Sequence, residues 1–163
     1  MLTYRLPVML EGAGYGAAYR GRLFGLFALL AIGVMMAVRQ RRLLGGAFWR
    51  AVLGIGIVAL GSIALEGFML PAGAWGAAGL FGIGFGLCFP AVHLLTYEGA
   101  AAHLRGTALA LLYAFYSLGY VLGPISAGLS VGVLPPGGVG AFVASASVVG
   151  AILLAKKGVY SQS

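Results

Sequence analysis

Acidic residues are almost missing from this chain: three among 163 positions, against ten Lys and Arg. Charged residues of both signs amount to 8%, where a soluble globular protein carries roughly 25%. So few charges cannot clothe a water-facing surface, which excludes a soluble domain. The 61% of apolar residues likewise excludes a disordered chain. Cysteine is limited to Cys88, so there is neither a disulfide framework nor a CxxC site. Two His and one Cys cannot build a sound zinc site. No HExxH motif and no Ser/His/Asp constellation is present, so no enzyme, metal or cofactor is expected. A basic stripe for nucleic acid is lacking too. Residues 1–20 show no apolar h-region of a signal peptide and carry Arg5, Glu11 and Arg20.

What is present is long apolar runs and 29 glycines, with a mean hydropathy of +1.04. A membrane helix needs about 20 mostly apolar residues. Charges and Pro/Gly clusters cut the chain into five such spans, at about 21–38, 51–70, 76–97, 106–133 and 139–155. The last two come from one uncharged run, Gly106–Ala155, which Pro135-Pro136-Gly137-Gly138 divides. Barrel strands are shorter and alternate in polarity, unlike these runs. The expected fold class is therefore an all-α integral membrane protein with five transmembrane helices, short loops and antiparallel neighbours. Small residues four apart let helices approach closely in lipid. Gly82/Gly86, Gly119/Gly123 and Gly128/Gly132 have that spacing.

The bases sort by loop. Arg39, Arg41, Arg42, Arg50, Arg105, Lys156 and Lys157 fall on one side, and Arg5, Arg20 and Arg22 on the other. The positive-inside rule puts the first group, and with it the C-terminal tail 158–163, in the cytoplasm. The expected location is the inner (plasma) membrane, multi-pass. With five spans the N-terminus then lies outside, although its tail holds three Arg. A preceding span resolves this, with residues 1–20 as an external loop and remnant of an earlier helix.

Two adjoining stretches, GLFGIGFGLCFPAVHLLTYEGAAAHLRGTALAL (Gly79–Leu111) and LYAFYSLGYVLGPISAGL (Leu112–Leu129), resemble the tenth and eleventh helices of major facilitator superfamily transporters. The first has a Gly-rich helix ending in Pro90, then a short loop with Glu98 and Arg105-Gly106. The second carries Leu118-Gly119, Leu122-Gly123-Pro124 and Gly128. Leu6-Pro7 and Glu11-Gly12-Ala13-Gly14 resemble the outer end of the seventh helix. The loop Arg39-Gln40-Arg41-Arg42 departs from the family's DRxGRR-like motif by lacking its Asp. The resemblance implies a C-terminal bundle of a major-facilitator-type fold. It implies a partial secondary-active transporter of small solutes working by alternating access and incomplete alone. Its partners would be the bilayer, a small-molecule solute with a possible coupling ion, and the missing N-terminal helices. The alternative is a complete small membrane protein with a scaffolding or regulatory role.

Polar side chains at bilayer depth face a bundle interior or a wet cavity. Tyr113, Tyr116, Ser117 and Tyr120 share one helix face by their spacing. They line a substrate cavity or pack on neighbouring helices, and the resemblance to a cavity-lining eleventh helix favours the first. Aromatic richness favours an amphipathic or sugar-like solute over a bare ion. His93, one turn before Tyr97, is either a proton relay or a ring bonded to a carbonyl freed by Pro90. Glu66 is an interfacial carboxylate or a coupling-ion site. Cys88 reads as a small core residue. Gly82, Gly86, Pro90, Gly119, Gly123, Pro124 and Gly128 are the expected packing and hinge positions, and Arg39, Arg41, Arg42 and Arg105 mark the cytoplasmic loops.

Overall fold

Backbone hydrogen bonding organises this chain, because lipid offers no partner to an unpaired peptide group. The computed structural model describes residues 10–40, 46–67 and 72–130, and among them it is helical with no strand. The helices are α1 (Ala17–Gln40), α2 (Ala47–Gly67), α3 (Ala72–Gly99) and α4 (Arg105–Ser130), with a 3-10 turn at Ala102–Leu104 between α3 and α4. The fifth expected span, the Pro135–Gly138 turn and the tail 158–163 lie outside the described residues, as do Arg41 and Arg42.

Among the described residues, three helices are long and apolar enough to cross a bilayer: Ala17–Val38 with 22 residues, Ala47–Ala64 with 18 and Ala72–Gly99 with 28. At 1.5 Å rise these measure about 27 to 42 Å, against a hydrocarbon core of about 30 Å. The chain is thus a membrane-embedded protein. Its surface agrees: Leu29 is 72% and Phe115 69% exposed, which water would penalise and lipid or a neighbouring helix does not.

The helices run past the charges that mark the ends of the apolar runs. α1 starts at Ala17 and contains Arg20 and Arg22. α2 starts at Ala47 and holds Arg50 in its first turn. A charged side chain ends a lipid crossing, but it does not break the backbone ladder. Gly16 and Gly46 supply the first carbonyls, accepting from the Arg20 and Arg50 N–H groups at 3.3 Å each. Ahead of α1 a short helical turn closes at Gly14, whose φ is +80°. There the Tyr15 N–H donates to the Leu10 carbonyl (2.8 Å) and the Gly14 N–H to that of Glu11 (3.0 Å), the paired closure that a left-handed glycine permits.

α3 is the centre of the packing. Successive glycines point to opposite sides of it, because two residues turn a helix by about 200°. A Cβ on Gly82 would lie 2.6 Å from the Phe27 carbonyl oxygen, and one on Gly86 2.7 Å from that of Ala31, both in α1. A Cβ on Gly84 would lie 2.7 Å from the Gly54 carbonyl oxygen in α2, and one on Gly54 2.6 Å from the Cys88 nitrogen. Hence α1 and α2 each touch α3 backbone to backbone, on opposite flanks. α1 runs parallel to α3, since Leu23 packs with Ala74, Ala77 and Ala78 while Ala31 meets Gly86. α2 is antiparallel, with Ala47 and Ala51 on Ala91 and Gly61 near Leu80. Polar side chains inside the helices bond backwards by one turn: Ser62 Oγ to the Val58 carbonyl (3.2 Å) and Thr96 Oγ1 to that of Val92 (2.8 Å).

Candidate functional site

The fourth helix meets the bundle differently. Every four residues along α3 comes a ring: Phe85, Phe89, His93, Tyr97. A four-residue step drifts by only about 40°, so these rings form one slanted stripe. Between centroids, Phe85 and Phe89 stack at 5.0 Å, and Phe89 and His93 lie 4.2 Å apart with their planes tilted by 48°. α4 returns antiparallel and lays its own tyrosines on the stripe. Tyr113 meets His93 edge-on at 5.1 Å, and Tyr116 meets Phe89 at 5.9 Å. Near the turn, the Arg105 guanidinium lies over the Tyr97 ring at 4.4 Å and its Nη1 donates to the Tyr97 hydroxyl at 3.3 Å.

Between these rings is a cavity of about 240 Å³, lined by Phe85, Cys88, Phe89, Val92, His93, Leu112, Tyr113 and Tyr116. It lies in the C-terminal half of α3 and the N-terminal half of α4, roughly 15 Å along each helix from the turn that joins them. Its polar atoms are turned away or spoken for. The His93 Nδ1–H donates to the Phe89 carbonyl at 2.8 Å. A carbonyl only accepts, so this nitrogen carries the proton. The Nε2 atom is buried with no partner among the described residues. The Tyr116 and Tyr120 hydroxyls share a hydrogen bond of 3.1 Å.

Of the expected cavity residues, Tyr113, Tyr116 and His93 come together on this wall. Tyr120 reaches it only through Tyr116, with ring centroids 4.9 Å apart, and Ser117 is exposed and does not line it. The His93 bond differs in detail from a carbonyl freed by proline. Pro90 lacks an N–H and so deprives the Gly86 carbonyl, one turn earlier, whereas His93 bonds to Phe89. Pro90 itself is half-buried inside α3. Gly119 faces open space, and Gly123, Pro124 and Gly128 belong to the α4 backbone. Arg39 ends α1 at the same end of the bundle as Arg50 and Arg105, as the up-down course of the helices requires. Glu66 lies in the last turn of α2.

Sequence reasoning passed over Phe85, Phe89, Val92 and Leu112. The four-residue recurrence Phe85–Phe89–His93–Tyr97 is the signal that finds the first two. Cys88 has one side toward α2 and one toward the cavity. Among the described residues no group of three His, Cys, Asp or Glu side chains is placed to hold a metal. Compared with known protein families, with characterised proteins and with solved structures, the chain matches none.

Proposed function

We propose that this chain forms part of a secondary-active membrane transporter of the major facilitator type, moving a small solute by alternating access, with its five spans serving as the C-terminal bundle. The observation that carries the reading is the aromatic cavity between α3 and α4, roughly 15 Å inside the helix ends at Gly99 and Arg105. Within a hydrocarbon core of about 30 Å this is close to the midplane depth at which such transporters hold their solutes. The looseness of α4 supports it. Among the described residues, α1 and α2 are locked to α3 by glycine contacts, while α4 meets α3 through side chains, an arrangement that leaves it room to rock. In this reading further helices close the open side of the cavity, and the basic end of the bundle faces the cytoplasm of a plasma or inner membrane. No catalysis is involved.

The test is flux in proteoliposomes. The isolated chain carries no solute. In the longest product of its reading frame, Tyr116→Ala or Tyr113→Ala, at two residues that line the cavity, changes the affinity or rate of transport. Transport indifferent to both substitutions removes α4 from the solute path.

One observation favours a second reading, a small scaffolding or regulatory membrane protein. Leu111, Phe115, Leu118, Leu122 and Ile125 recur at alternating steps of four and three along α4 and are all more than half exposed. That is the seam of a helix made to pair with another. Leu118→Asn abolishing capture of a specific partner helix, with no flux from any longer product, would favour the scaffold.

A further inference from the structure

The chemistry of the cavity wall is narrower than its ring count implies. Tyrosine-rich walls suggest a sugar, whose hydroxyls need hydrogen-bonding partners. Here no polar atom is turned into the cavity, although the Tyr113 hydroxyl and the His93 Nε2 have no partner among the described residues. The Tyr116 hydroxyl is held by Tyr120, and the His93 Nδ1–H is held by the Phe89 carbonyl. The His93 Nε2 is sealed from any solvent-sized contact. What remains is ring carbon from Phe85, Phe89, Tyr113 and Tyr116, the side chains of Val92 and Leu112, and one thiol. No carboxylate lines the wall, and its rings are interrupted by the aliphatic Val92 and Leu112, so a cation would give up its hydration without the closed cage of ring faces that holds quaternary ammonium groups. A sugar would leave several hydroxyls desolvated and unpaired. Flat apolar molecules meet neither objection and stack on rings at the offsets seen here.

We infer that the cavity between α3 and α4 binds a neutral, planar, apolar molecule of about two fused rings, a size set by its 240 Å³ against the roughly 300–1,000 Å³ of sites for drug-sized ligands. This rests on the reading of the groove as a solute site. It excludes the sugar-like solute that aromatic content alone favours.

Cys88 gives a direct test, because it is the only cysteine and lines the cavity. In lipid nanodiscs, alkylation of Cys88 by N-ethylmaleimide is timed with naphthalene, glucose or tetramethylammonium present. Naphthalene at ten times its Kd leaves about one cavity in eleven empty, so alkylation slows about tenfold. Glucose and tetramethylammonium leave the rate unchanged. Leu112→Trp fills the space, so its alkylation is slow without ligand and naphthalene slows it no further. A Cys88→Ser, Ala28→Cys variant, with its thiol on the exposed face of α1, reacts at one rate throughout. Protection by glucose or tetramethylammonium, or none by naphthalene, overturns the proposal. So does wild-type alkylation already as slow as in Leu112→Trp, since an acyl chain then occupies the groove. Binding is read without flux, so the two readings fail separately. Protection without any transport sinks the transporter, and transport without protection sinks the solute class.

Discussion

Replacing Gly82 by alanine places a Cβ 2.6 Å from the Phe27 carbonyl oxygen and 3.0 Å from the Leu30 Cβ. Comfortable contact begins near 3.5 Å, so α1 must retreat by about 1 Å along that flank. A carbonyl oxygen cannot swing aside as a side-chain tip can. A gap of that size forfeits a quarter to a half of each atom pair's attraction, and over a whole helix interface the cost reaches about 1–3 kcal/mol. Lipid supplies no hydrophobic drive to offset it. Gly33, on the open face of α1, has nothing within 4 Å of a built Cβ. There alanine costs nothing and gains up to about 1 kcal/mol of helix propensity. The two substitutions therefore have opposite signs. Trp75 fluorescence reports the outcome, because its ring meets Tyr19 of α1 edge-on at 5.8 Å and loses that contact as heat or SDS separates α1 from α3. Gly82→Ala should unfold earlier than wild type, and Gly33→Ala no earlier. Equal midpoints for the two would refute the backbone contact between α1 and α3.

The Tyr116–Tyr120 bond predicts non-additivity. Tyr116→Phe and Tyr120→Phe should each cost about 1 kcal/mol, and the double variant no more than either, in an SDS-unfolding cycle. At the α3–α4 turn, Tyr97→Phe keeps the ring under Arg105 and should cost less than Tyr97→Ala, which loses about 0.5–1 kcal/mol of cation–π attraction. Spin labels on α3 and α4 should show a broader distance distribution for the alanine variant only. The Arg20–Glu11 ion pair, 2.9 Å long with the Glu side chain 72% exposed, contributes little. Glu11→Gln should move the unfolding midpoint by less than about 1 kcal/mol and less still in high salt.

Composition alone leads to a membrane protein, because 8% charge cannot clothe a water-facing surface, and the length of the apolar runs then makes it helical. Charges and Pro/Gly clusters also point to where the chain turns. They say less about where helices end, since Arg20, Arg22 and Arg50 sit inside helices whose ladders ignore side-chain charge. The four-residue spacing of Gly82 and Gly86 is visible as a close-approach signal. That Gly54 is the counterpart of Gly84 is not, because it depends on the register of α2 against α3, and nothing in either helix alone sets that register. The tyrosine face of α4 can be drawn on a helical wheel. Its partner stripe on α3 is camouflaged, since Phe85 and Phe89 look like any phenylalanines in an apolar span. The hydroxyl bond between Tyr116 and Tyr120 is local to α4, one turn apart, whereas the contacts of Tyr113 with His93 and of Tyr116 with Phe89 exist only once the helices are brought together.

The placement of α3 between two helices that use it as a common wall bears on biosynthesis. α1 and α2 emerge from the ribosome first, yet each finds its close backbone contact on α3. Until residue 99 has left the ribosome, the first two spans have no glycine seam to settle on and depend on the insertion machinery to stay near one another. α3 is then the keystone of assembly: the order of synthesis makes two loose spans, and the third locks both in one step. A ribosome stalled before Ala72 should leave α1 and α2 open to capture by other helices, and one stalled beyond Gly99 should not.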